Sequence, residues 1–175
     1  MTVFCKVFAR IAGALALVLA LAAGTGAARA QDAPGQPIDG VRCDQMEGSV
    51  FHIHQHLSVY VHGKPMPVPS DVGRPFLSNC LYWLHTHTSD GIIHVEAPMI
   101  ATFTLGQFFD EWGQSLSATQ VGATKLPSGA LHVFVDGLPY HGDPRKIELD
   151  QHADIVLEAG PPYMKPVPFT NWGVQ

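Results

Sequence analysis

Histidines are the residues of this chain whose spacing could do chemistry. The chain has 10 of them, and six fall in three short motifs: HIHQH at 52–56, HTH at 85–87 and HVE at 94–96. In a strand, residues two apart share a face and lie about 6.6 Å apart, at about 3.3 Å per residue. Two imidazoles at that spacing can converge on one ion with metal–nitrogen distances of about 2.0–2.1 Å. The pattern therefore predicts a transition-metal site.

The predicted ligands come from more than one strand. On a straight strand His52 and His56 would lie about 13 Å apart, too far for the whole first motif to share an ion. The second and third motifs should form a hairpin, which would bring the histidines of 85–87 near His94 and Glu96. We therefore expect one shared space, with Glu96 at its edge, lined by four histidines: His54 or His56, His85, His87 and His94.

Copper and zinc are the metals that this ligand set favours. Neutral imidazole binds both, and the Irving–Williams order favours copper. A three-histidine site that keeps a water is equally typical of zinc. Calcium and magnesium prefer oxygen ligands, so a nitrogen-rich set argues against them. The metal-free alternative is a polar strand face whose histidines bond to carbonyl groups.

Three strands must position these histidines. Between residues 51 and 61 aliphatic and polar residues alternate, which predicts a half-buried strand with its histidines on the non-aliphatic face. Residues 81–86 and 92–97 are two further strand candidates, separated by a turn at 88–91. Short strands are also predicted at 131–135, 147–149 and 155–158.

One helix is predicted, and it begins at Thr104. Thr104 and Gln107 fit a capping box, while Phe103 and Phe108 fit the hydrophobic staple around it. Apolar residues then recur at helical spacing and predict a buried face: Leu105, Phe108, Phe109, Trp112 and Leu116.

These elements predict a single α+β domain over residues 43–160. It should be strand-dominated, with one main helix packed on a sheet. The succession of strand, helix and strands in its C-terminal part is β-grasp-like. A cupredoxin-like β-sandwich is the alternative.

Residues 1–30 have the form of a signal peptide. Basic residues precede an apolar run of about 13 residues, and Ala28-Arg29-Ala30 resembles a cleavage site. The run is shorter than the roughly 20 residues that a spanning helix needs, so we expect no stable membrane span after cleavage. The predicted location is periplasmic or secreted. Residues 31–42 should form a flexible lead-in and 161–175 a proline-rich tail.

The predicted mature chain is acidic. The leader contains three of the 10 basic residues and none of the 15 acidic ones, which leaves a formal charge of −8. A negative surface argues against nucleic acid as a partner and suits cations. A metal ion is thus the expected partner, and nothing in the sequence identifies a protein partner.

Two cysteines, Cys43 and Cys80, remain after the leader. In an exported chain a pair of cysteines usually forms one disulfide. Closing a loop of about 37 residues would stabilise the fold by roughly 3–4 kcal/mol in the chain-entropy model. The alternative is that one or both thiolates bind the metal.

Four motifs carry a resemblance to a known family. They are HIHQHL at 52–57, CLYWLHTH at 80–87, GIIHVE at 91–96 and TLGQFF at 104–109. Together they resemble a family of exported, histidine-rich prokaryotic proteins, and the similarity covers most of residues 43–160. The resemblance implies one exported domain and brings no established activity with it.

Three functions remain open at this point. The first is an exported metal-binding protein that buffers, senses or delivers copper or zinc. The second is a metalloenzyme in which the ion activates water while Glu96 or Asp90 moves protons. The third is a metal-free structural or binding domain, in which the histidines would not converge.

Overall fold

The computed structural model describes Met1 and residues 35–172. The predicted signal peptide, apart from Met1, lies outside the described residues. The chain divides into two units, Met1–Gln31 and Asp32–Gln175, and all the elements below belong to the second. Within the described ranges, no helix has the length and apolar character to cross a membrane.

The described residues form twelve strands, one α-helix and one short 3-10 helix at Pro144–Lys146. The strands and the α-helix are β1 Cys43–Asp44, β2 Phe51–Val61, β3 Lys64–Pro65, β4 Leu81–Tyr82, β5 Leu84–His85, β6 Ile92–Ala97, α1 Leu105–Glu111, β7 Leu116–Ser117, β8 Gln120–Val121, β9 Thr124–Lys125, β10 Leu131–Val135, β11 Leu138–Pro139 and β12 Asp154–Ala159. This is a strand-dominated α+β architecture, as the sequence predicts. Residues 147–149 are not a strand, since only Glu148 pairs there, in an isolated bridge with Thr104.

The main sheet has the order β11-β10-β12-β2-β6-β5, with β3 paired to β2 off this path. Strand β2 is its longest member, and its two halves have different neighbours. Residues 51–56 pair antiparallel with β6, while residues 56–61 pair parallel with β12. The histidine-bearing half of β2 therefore lies beside β6, and β6 lies between β2 and β5.

The two faces of the main sheet differ in chemistry, because alternate residues of a strand point to opposite sides. One face carries the apolar core, which includes Leu57, Val59, Val95 and Leu157. The other face is polar, yet most of its side chains are also buried: His54, His56, His94, Glu96, Asp154 and Glu158.

Helix α1 packs against β5 and contributes its apolar face to the core. Its start confirms the predicted capping box. The Thr104 hydroxyl accepts from the Gln107 amide at 3.4 Å, and Gln107 Oε1 accepts from the Thr104 amide at 2.9 Å. The helix is shorter than the apolar spacing suggests, because Gly113 has φ +68° and the helix ends before it. Leu116 belongs instead to β7, in the small sheet β7-β8-β9.

The predicted disulfide between Cys43 and Cys80 is present, with the two Cα atoms 5.3 Å apart. It lies beside the two-stranded sheet β1-β4, in which Cys43 pairs with Tyr82. Both sulfurs are used in the bond, so neither thiolate is available as a metal ligand. The bond ties β1 to the segment that continues into β5.

Candidate metal centre

Three histidines from three strands form a row across the polar face of the sheet. The register places His54 of β2 opposite His94 of β6, and His94 opposite His85 of β5. Ring centroids are 4.5 Å apart for His54 and His94, and 5.4 Å apart for His85 and His94. The pairing of the strands thus provides the convergence that spacing along the sequence could only suggest.

The row is the centre of a larger cluster that could hold a metal ion. We call it the histidine cluster; its members are His52, His54, His85, His87, His94 and Glu96. Their potential ligand atoms fall into two groups, each with all its atoms within 4.8 Å of one another. His94 belongs to both.

The first group contains His85, His87, His94 and Glu96. His85 Nε2 lies 3.3 Å from His87 Nε2 and 3.9 Å from Glu96 Oε2. His94 Nδ1 lies 3.6 Å from Glu96 Oε1. A tetrahedral ion with metal–nitrogen bonds of about 2.0–2.1 Å would have ligand atoms about 3.3 Å apart. The separation of the His85 and His87 nitrogens equals this value, and the four ligand atoms all lie within 4.8 Å of one another.

The second group contains His52, His54 and His94. His52 Nε2 lies 3.0 Å from His54 Nε2 and 3.1 Å from Glu96 Oε1. The predicted ligand set omits His52. The signal that could have identified it is its spacing of two residues from His54, the same spacing that selects His85 and His87.

His85 is oriented by the backbone of its own segment. Its Nδ1 lies 3.0 Å from the Tyr82 carbonyl oxygen, which can only accept, so Nδ1 carries the proton and donates. The lone pair of the imidazole is then on Nε2, which faces the cluster. A histidine whose second nitrogen bonds a carbonyl is the usual arrangement in metal sites.

Thr86, between the two histidines of the HTH motif, anchors this segment from the opposite side. Its side chain is buried, donates to the Pro69 carbonyl at 2.8 Å and accepts from the Val72 amide at 3.1 Å. Gly73 lies close behind, where a Cβ atom would be 3.0 Å from Cβ of His85. The loop around residues 69–73 therefore fixes the position of the two histidines that flank Thr86.

Burial keeps the central imidazoles neutral. It lowers the pKa of His54 and His85 to about 4 and that of His94 to about 3, with the neighbouring histidines adding smaller shifts in the same direction. Burial also raises the pKa of the Glu96 carboxyl. Neutral imidazole is the form that binds metals, so the cluster requires no deprotonation of these three rings at neutral pH.

His94 has a ring nitrogen whose hydrogen-bonding capacity is not used by the described part of the chain. Its Nδ1 is buried and has no hydrogen-bond partner within residues 35–172. A buried polar atom without a partner costs about 1–3 kcal/mol. A cation at this point would remove that cost.

His56, a predicted alternative to His54, lies outside both groups. Its Nδ1 is 2.9 Å from Asp154 Oδ1, and its ring stacks on Phe169 with centroids 3.7 Å apart. Asp154 Oδ2 in turn accepts from the Phe169 amide at 2.9 Å. His56 therefore binds the C-terminal tail, while His54 is the member of β2 that joins the row.

Residues 161–172 form an irregular tail along the polar side of the sheet. Tyr163 stacks on His132, and the Met164 amide donates to Glu158. Trp172 packs against His152, whose backbone amide donates to the His54 carbonyl oxygen. The tail covers the β10, β12 and β2 part of this face.

Comparison with protein-family models, with curated proteins and with solved structures finds no match to this chain. The resemblance to exported, histidine-rich proteins therefore stays an expectation. Function has to be inferred from the geometry of the histidine cluster.

Proposed function

We propose that this protein is an exported transition-metal-binding protein that holds copper or zinc for buffering, sensing or delivery. The ligands of the ion are His85, His87, His94 and Glu96. The observation that carries the proposal is the convergence of these four donor atoms within 4.8 Å of one another. Three of the four residues are buried, so the site exists before an ion arrives.

The metal-free alternative accounts poorly for this geometry. Histidines with a purely structural role bond to carbonyl groups or carboxylates, as His56 does with Asp154. In the histidine cluster, His85 Nε2 faces another imidazole nitrogen, and the buried His94 Nδ1 has no partner among the described residues. A cation at this point would bind the His85 lone pair and pair the buried His94 nitrogen.

The donor set supports copper(II) or zinc. Three nitrogens and one carboxylate oxygen suit both ions, and the Irving–Williams order favours copper where both are present. The Cys43–Cys80 disulfide is compatible with the oxidising compartment that the leader predicts. Copper(II) is stable under those conditions.

The fold supports a β-grasp-like assignment for the domain. The first and last long strands, β2 and β12, are parallel neighbours. Each has an antiparallel partner on its outer side, β6 and β10, and α1 lies between the two pairs along the chain. We propose this assignment over the cupredoxin-like sandwich.

Metal titration of the metal-free mature protein tests the proposed function. Zinc and copper(II) are added against a competing chelator to the wild type, His85→Ala and His94→Ala. We expect tight binding to the wild type and loss of this tight binding in both variants. His141→Ala is the matched control, because His141 is exposed and outside the cluster. Unchanged binding in both cluster variants would refute the site.

A metalloenzyme is the second candidate, and the exposure of His87 favours it. An exposed ligand leaves one side of the ion open to solvent. The first group would then supply three imidazoles and leave Glu96 to accept a proton from a bound water. X-ray absorption of the zinc form distinguishes the two functions, since an open site shows a water oxygen and a closed shell shows only the four protein ligands.

A further inference from the structure

We propose that the histidine cluster holds two ions rather than one. The second ion lies beside His52, His54 and His94, and the Glu96 carboxylate bridges it to the first. The neutral ring of His94 has a single lone pair, so it binds only one of the two ions. This inference rests on the proposed function, because it adds a second position to the same cluster.

The number of donors is the first support. The cluster contains six candidate ligand residues, whereas a tetrahedral ion takes four. The six do not form one set of mutually close atoms. They form two sets that share only His94. His52 and His54 lie on β2, away from the segment that contains His87. One ion therefore cannot use all of them.

The direction of the Glu96 oxygens is the second support. Oε1 lies 3.1 Å from His52 Nε2 and Oε2 lies 3.9 Å from His85 Nε2. The two oxygens of one carboxylate thus face the two groups. Sites with two metals typically hold their ions about 3.5–4 Å apart, a separation that a carboxylate can bridge.

The lone pairs around His52 are the third support. Its Nε2 lies 3.0 Å from His54 Nε2 and 3.1 Å from Glu96 Oε1. This nitrogen carries either one proton or one lone pair, so in either tautomer it makes a good hydrogen bond to only one of the two atoms. A cation among the three atoms satisfies all of them together.

Each group has one exposed histidine, and how firmly it is held sets the order of filling. Thr86 anchors the segment of His87 through two hydrogen bonds, whereas the His52 side chain is 47% exposed. The rigid ligands of the first group lose less conformational freedom when an ion binds. The first ion therefore binds tightly to the first group, and the second ion binds more weakly and exchanges faster.

Copper(II) titration followed by metal analysis and electron paramagnetic resonance tests the proposal. We expect two equivalents of copper on the wild-type protein. The signal should grow to the first equivalent and then weaken, because two nearby copper(II) ions couple magnetically. His52→Ala should keep one equivalent with an uncoupled signal. Circular dichroism of this variant should match the wild type, because the His52 side chain is exposed.

The variants separate this proposal from the proposed function. Glu96→Gln should remove the coupling, and His141→Ala should behave as the wild type. One equivalent on the wild type that His85→Ala abolishes would overturn the second position and leave the proposed function intact. Two equivalents without coupling would overturn the bridge. No binding at all would overturn both proposals.

Discussion

Acid should destabilise the metal-free protein through the buried imidazole of His85. The side chain is fully buried, and burial lowers its pKa from 6.5 to about 4, although its bond to the Tyr82 carbonyl opposes the shift. The unfolded chain therefore takes up a proton on this ring near pH 6.5, and the folded chain does so only near pH 4. Between these values the unfolded state binds more protons, so lowering the pH favours unfolding.

The loss of folding stability can be calculated from the pKa shift of His85. Each pKa unit corresponds to about 1.4 kcal/mol, so His85 alone contributes about 3 kcal/mol of stability that is present above pH 6.5. This contribution falls away as the pH drops from 6.5 to about 4. That is a large part of the 5–15 kcal/mol that typically stabilises a domain.

Urea unfolding with chelator present, repeated between pH 7 and pH 4, measures this loss. In His85→Gln the titrating group is absent, so the free energy of unfolding should fall by about 3 kcal/mol less over this range than in the wild type. His141→Gln, with an exposed ring, should keep the wild-type pH dependence. Equal pH dependence in wild type and His85→Gln would refute the claim that burial holds this ring neutral.

Two further predictions concern the elements that support the cluster. Phe108→Ala should lower the free energy of unfolding by roughly 3–5 kcal/mol, because this fully buried ring belongs to the apolar face of α1; a loss below about 1 kcal/mol in urea unfolding would contradict the core assignment. Gly73→Ala should destabilise the protein by about 1–3 kcal/mol and weaken zinc binding, since position 73 has φ +77° and a Cβ there would collide with the Leu84 carbonyl oxygen. Unchanged zinc affinity in that variant would show that the loop does not position His85.

Local signals in the sequence predict the elements well. Alternation predicts β2, and the bounds of β6 match the predicted 92–97. The capping box at Thr104 and the disulfide are also confirmed. Each of these features depends on residues near in sequence or on a general rule, such as pairing of the two cysteines that follow a predicted leader.

The arrangement of the strands could not be predicted in the same way. The row of His54, His94 and His85 requires β6 to lie between β2 and β5. That order depends on which strands pack best on the shared core, a property of the whole chain. His56 illustrates the difference. His56 lies two residues after His54, on the same face of β2, yet the parallel pairing of β2 with β12 places it opposite Asp154.

The in-register row across β2, β6 and β5 also constrains how the chain can change in length. Inserting one residue within a strand would turn its following side chains to the opposite face of the sheet and remove a ligand from the row. An insertion in the exposed loop between β6 and α1 leaves the register untouched. Related chains that keep the cluster should therefore vary in length in the loops and not within these three strands. Under the proposed function, metal affinity would measure correct strand alignment.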